Sequence, residues 1–196
     1  MRRLIAISFL IVACPGLALA QSSSPENQGR SWDFGVWAAG QTGRENTKSF
    51  TEAQLLSAGI FVGKVVTGEM RDGWSRGRIE YAADISPLFI QFTPEQLYGI
   101  RFEPVILRWN FSQTRRYKPY VEMAGGAVRT NKALPAYDTS DFNFTARAGG
   151  GLRMFAGQRR YLDLGWHWSH MSNANLGVRN PAFNGIEMVV GFHWLR

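Results

Sequence analysis

Tyr161-Leu162-Asp163-Leu164-Gly165-Trp166-His167-Trp168-Ser169-His170-Met171-Ser172 alternates large apolar residues with small or polar ones. Alternate positions of an extended strand share a face. Leu162, Leu164, Trp166 and Trp168 therefore form one apolar row, and His170 and Ser172 continue it at the far end. Asp163 and His167 lie in the opposite row. One side of this strand suits a greasy medium and the other suits ion pairs.

The same period of two recurs along the chain, while no helix-period run of useful length occurs after residue 20. It marks strands near Trp32–Ala39, residues 55–66, Arg78–Ile85, Pro104–Phe111, residues 119–129, Phe142–Phe155 and Ile186–Leu195. With the tryptophan strand this makes eight, many near the ~9–11 residues that cross a bilayer at a tilt. One row is apolar and aromatic. The other carries Arg78, Glu80, Asp84, Arg108, Glu122, Arg147, Arg153, Asp163 and His167.

Such charges are tolerable if they face one another, whereas Arg or Lys facing lipid near the midplane costs about 2–4 kcal/mol. A sheet in lipid must also close, because each backbone N–H and C=O needs a partner. Both demands predict an all-β fold, an eight-stranded antiparallel transmembrane β-barrel of the outer membrane. Ser112–Lys118 and Ala156–Arg159 read as short periplasmic turns. Gln41–Glu52, Thr130–Asp141 and Met171–Asn184 read as longer outer loops. Gly68–Ser75 is long for a turn. Pro87–Leu97 is unusually apolar for a loop, as if it entered the lipid interface or prolonged a strand.

The start of the chain fits export. Arg2 and Arg3 precede an apolar run from Leu4 to Val12, and Ala18-Leu19-Ala20 is a small-residue cleavage site. Residues 1–20 are read as a cleaved signal peptide, 21–30 as a linker and 31–196 as one barrel domain. Ile11-Val12-Ala13-Cys14 loosely matches an acylation site, but Pro15 and the better site at Ala20 favour simple cleavage. Cys14 is the one cysteine, so the mature chain has no disulfide and no thiol chemistry. The net charge of +7 suits anionic head groups, and export argues against nucleic acid.

The end of the tryptophan strand carries the chemistry. Serine is a weak nucleophile until a base within hydrogen-bond reach takes its proton, and a third group best orients that base. His170 and Ser172 share a face about 6.6 Å apart along the strand, a gap their side chains can span. The only acid between Ser172 and the last strand is Glu187, in Asn184-Gly185-Ile186-Glu187. Strict alternation from Met188 turns Glu187 inward, so its use as the acid requires a bulge or a late strand start. Asn173, through its side-chain amide, and the backbone N–H of Asn175 are candidate donors to an oxyanion.

His170-x-Ser172-Asn173-Ala174, followed by Asn180-Pro181 and Asn184-Gly185-Ile186-Glu187, resembles the active-site hairpin of the lipid A 3-O-deacylase (PagL) family. The segment from Gly99 to Phe111 also resembles a strand of that family. The resemblance implies an outer-membrane barrel that hydrolyses the ester-linked acyl chain at the 3 position of lipid A. It places the catalytic His, Ser and Glu on His170, Ser172 and Glu187, and the oxyanion Asn on Asn173. Some members carry glycine at the position of Asn175. The implied partners are lipopolysaccharide as substrate and the surrounding outer-membrane lipid, with no cofactor. A homodimer is left open.

Competing readings are weaker. His167 and His193 face one way and His170 the other, which argues against a shared metal site. Gly149-Gly150-Gly151 lacks the lysine and helix of a phosphate loop and suits wall curvature or close approach of an acyl chain. Trp166, Trp168 and Trp194 suit an interfacial girdle. No Gly-x-Ser-x-Gly elbow occurs. A non-catalytic outer-membrane barrel used for structure, adhesion or passive transport is the main alternative. A soluble lipid carrier with an apolar interior is a third.

Overall fold

The computed structural model describes residues 31–43, 53–112, 116–134 and 139–196. The signal and linker expected over residues 1–30 lie outside them. Eight antiparallel strands close into a barrel in chain order: β1 (Trp32–Gly43), β2 (Gln54–Val65), β3 (Gly77–Thr93), β4 (Leu97–Phe111), β5 (Tyr117–Leu134), β6 (Ser140–Ala156), β7 (Arg160–Ser172) and β8 (Phe183–Leu195). β1 pairs with β8 from Asp33 opposite Leu195 to Gly43 opposite Gly185. That pairing removes the open edge a membrane would penalise.

The lipid-facing row is the apolar one. Leu162, Leu164, Trp166 and Trp168 of β7 are exposed, as are Ile186, Met188, Val190 and Phe192 of β8. Trp32, Phe34 and Trp194 stack in sequence at the end holding the termini, with ring centroids 6.3 and 6.2 Å apart. Trp194 therefore shares a rim with Trp32, whereas Trp168 lies towards the other rim.

The loop expected at Pro87–Leu97 is mostly strand. β3 runs to Thr93 and β4 begins at Leu97. The ladder shifts register between Ser86 and Phe89, where Pro87 supplies no N–H. The Ser86 hydroxyl lies 3.0 Å from the Ala58 carbonyl and 2.8 Å from that of Leu88. This bulge lets a nearly continuous apolar run remain half in and half out: Leu88 and Phe92 face outward while Phe89 and Gln91 are buried. β5 and β6 likewise extend through most of the loop expected at Thr130–Asp141.

The lumen is filled. Arg147 reaches Asp84 at 2.6 Å, Glu103 at 2.8 Å and Glu187 at 3.3 Å. Arg108 meets Glu122 at 2.6 Å, and Arg153 meets Glu80 at 2.7 Å. Tyr161 bonds Asp33, which also accepts from His193. Arg101 and Glu103 join this buried set, which alternation past the β4 bulge had obscured. Arg78 stands apart towards the Trp32 end of the barrel, 3.7 Å from Glu69. Beyond the ions, Ala53, Leu55, Phe89, Leu97, Val128, Leu134, Met171 and Phe183 form an apolar plug at the mouth opposite Trp194. A cavity of about 20 Å3 among the ionic residues has room for little more than one water.

Removing one member of such a network leaves the others charged and unpaired in a dry interior. Arg147→Met should cost about 3–5 kcal/mol, because three carboxylates lose their shared partner. Urea unfolding in lipid vesicles, followed by tryptophan fluorescence, measures this.

Candidate active site

β7 carries His170 and Ser172 on its lipid face to the rim opposite Trp194. Met171 between them is buried in the apolar plug, and both polar residues are half-buried. Met171 thus anchors the strand from inside while its two neighbours face out. The His170 Nε2 lies 3.2 Å from the Ser172 Oγ. The His170 ring stacks on Trp168, with centroids 5.9 Å apart and planes at 21°. That stack restricts the imidazole plane to one that includes the serine.

Asn184, which sequence reasoning left without a role, is the third group. It is the direct cross-strand partner of His170 in the β7–β8 ladder. Its Oδ1 lies 2.8 Å from the His170 Nδ1. The expected acid is elsewhere. Glu187 pairs in register with His167 and points into the lumen, where it is fully buried. It meets Arg101 at 2.9 Å, Arg147 at 3.3 Å and the His167 Nδ1 at 3.4 Å. No register shift occurs in the β7–β8 ladder, so nothing rotates Glu187 outward. The signal was in the sequence: stepping back from outward Met188 by twos gives Ile186 and then Asn184.

The turn after Ser172 is held by asparagines. The Leu176 N–H donates to the Asn173 carbonyl at 2.9 Å, and the two residues between have positive φ, 50° at Ala174 and 65° at Asn175. Left-handed backbone at both central positions suits asparagine or glycine and strains alanine. Buried Asn173 donates its side-chain amide to the Arg179 carbonyl at 2.8 Å. Its Oδ1 accepts the Asn175 N–H at 3.0 Å, and its own N–H donates to the Asn180 Oδ1 at 3.0 Å. The Asn175 N–H is therefore occupied, against its expected role as an oxyanion donor. Asn173 keeps one amide hydrogen beyond these bonds. Gly177 was also missed: a Cβ there would press on the Asn173 amide and the Thr139 carbonyl.

Below the dyad the lipid face of β6 carries small residues. Ala146 and Ala148 of β6 stand opposite His170 and Trp168, and Gly150 stands opposite Trp166. Met123 and Val121 flank the same row from β5. Further along the wall, away from the dyad, a hollow of about 490 Å3 lies beside Val121, Gly150, Leu152, Leu164 and Trp166. The glycine run also has an inner reason, since a Cβ at Gly151 would strike the Tyr120 hydroxyl and one at Gly149 would strike His167. Among the described residues no His, Cys, Asp and Glu group is arranged to hold a metal.

Closed barrel, lipid-facing girdle and a polar pair at the outer rim define an outer-membrane β-barrel. The solved structures it resembles agree. It matches the crystal structure of the outer membrane enzyme PagL with a TM-score of 0.60 at 16% identity, covering 80% of this chain and 97% of that one. It matches Neisserial surface protein A with a TM-score of 0.55, also at 16% identity, covering 85% of this chain and 96% of that one. No curated protein matches the chain. The model of the lipid A 3-O-deacylase (PagL) family matches residues 28–193, and the chain belongs to that family.

Glu187→Gln separates the two faces of the hairpin. It should lower resistance to urea, because Arg101 and Arg147 lose a shared carboxylate. Fatty-acid release per folded molecule should stay within about twofold of wild type, since Glu187 does not touch the dyad.

Proposed function

We propose that this protein is a serine-type lipid A 3-O-deacylase acting in the outer leaflet. The carrying observation is the His170–Ser172 contact, placed on the lipid face at the outer rim. A pore lumen would be the wrong place for a lipid ester, and here the lumen is packed. The filled interior also weighs against passive transport.

His170 Nε2 takes the proton of Ser172 as its Oγ attacks the ester carbonyl. The remaining Asn173 amide hydrogen is suited to the developing oxyanion, where one donor is worth about 3–4 kcal/mol. The Ala174 N–H, unbonded among the described residues, is a second donor in the same turn. The C–O bond to the sugar then breaks, and His170 returns its proton to the departing sugar oxygen. Water, deprotonated by His170, attacks the acyl-serine and frees a fatty acid. During this the acyl chain lies along Ala146, Ala148 and Gly150, between the tryptophans of β7 and the apolar residues of β5. Residues 1–20 serve as the export signal in this reading.

Purified protein in detergent, given lipopolysaccharide and followed by mass spectrometry of lipid A, should lose one ester-linked hydroxyacyl chain from the 3 position. Ser172→Ala should remain a folded barrel and release none. Full release by that variant would remove the nucleophile assignment, and an unchanged acyl pattern with wild type would favour a non-catalytic barrel. Ala148→Trp sets an indole beside Trp168 in the path proposed for the acyl chain and should cut release about tenfold or more through misplacement of the ester.

A further inference from the structure

We infer that this hydrolase works without a carboxylate behind its histidine, and that the neutral amide of Asn184 positions His170. The inference rests on the Ser172–His170 reading and adds the group that sets the protonation of the ring. Three observations carry it. Asn184 is the in-register partner of His170, its Oδ1 is 2.8 Å from Nδ1, and the only nearby acid of the hairpin is turned into the lumen. His167 and His193 each lie against carboxylates, whereas His170 makes no ion pair among the described residues.

The chemistry follows from the single N–H of a neutral imidazole. An amide carbonyl can only accept. With Oδ1 facing Nδ1, the hydrogen sits on Nδ1 and the lone pair on Nε2 faces the Ser172 hydroxyl. That is the tautomer a general base needs. A reversed amide would donate to Nδ1, put the hydrogen on Nε2 and disable the base. Asn184 therefore orients the ring and selects its tautomer. Being neutral, it adds little to the stability of the imidazolium formed during attack, so a carboxylate at this position should do the same work with added charge stabilisation.

The test uses the full-length protein, with rates normalised to the folded fraction seen by heat-modifiable gel migration. Asn184→Ala should lower kcat about 10- to 100-fold with KM nearly unchanged, a part of the ~10²–10⁴ that a general base supplies. Asn184→Asp should restore kcat to the wild-type level or above. Nitrogen NMR of the wild-type barrel in micelles, with the His170 signals assigned by substitution, should show neutral imidazole protonated on Nδ1. An unchanged kcat in Asn184→Ala, an Asp variant as slow as the Ala variant, or a wild-type ring protonated on Nε2 would each overturn the inference. Should the Ala variant not fold, the Asp variant and the wild-type spectrum decide. If wild type releases no fatty acid, the proposed activity fails, while the ring spectrum still tests the Asn184 contact.

Discussion

A closed sheet in a membrane gives each side chain two destinations, lipid or lumen, and successive residues must take opposite ones. Everything else in this protein depends on that alternation. It sends Trp166, Trp168, His170 and Ser172 to one side of β7 and Asp163, His167 and Met171 to the other. A one-residue slip of β7 would put two tryptophans among the ions and hide the serine. The lumen resists such a slip, because the carboxylates of several strands share a few buried guanidiniums.

The ionic interior and the rim chemistry are thereby linked without touching. Met171 and Phe183 belong to the apolar plug, and each is flanked by a residue of the site, His170 and Ser172 on one strand and Asn184 on the other. Packing inside holds the backbone whose outward side chains meet. A polar pair facing lipid would otherwise be mobile and expensive. Here it is held from within by buried apolar side chains, from below by the Trp168 stack, and from above by the asparagine-bonded turn. The turn's left-handed Ala174 is strain placed two residues beyond Ser172.

The hollow on the outer wall arises from the same economy of space. Tyr120 and His167 are large residues in a narrow lumen, and the glycines of β6 make room for them. On the outer surface the missing side chain at Gly150 opens a hollow in the wall, and Ala148 and Ala146 keep the row small between it and His170. One run of small residues thus answers a packing demand inside and leaves open space outside.

Alternation along each strand is a local property, so the sequence alone determined the strands, the barrel, the lipid face and the outward His170–Ser172 pair. It also held the family motif. Where alternation was interrupted, local reading failed: the bulge at Ser86–Phe89 made strand look like loop, and the bulge between Phe102 and Val105 obscured Arg101 and Glu103. The third member of the site was decided only by tertiary structure. An acid in the right motif drew attention to Glu187, but which residue faces His170 depends on the register between two strands. That register is set by many ladder bonds and by the ion pairs that bind Glu187 inside, none of which is local to the hairpin sequence.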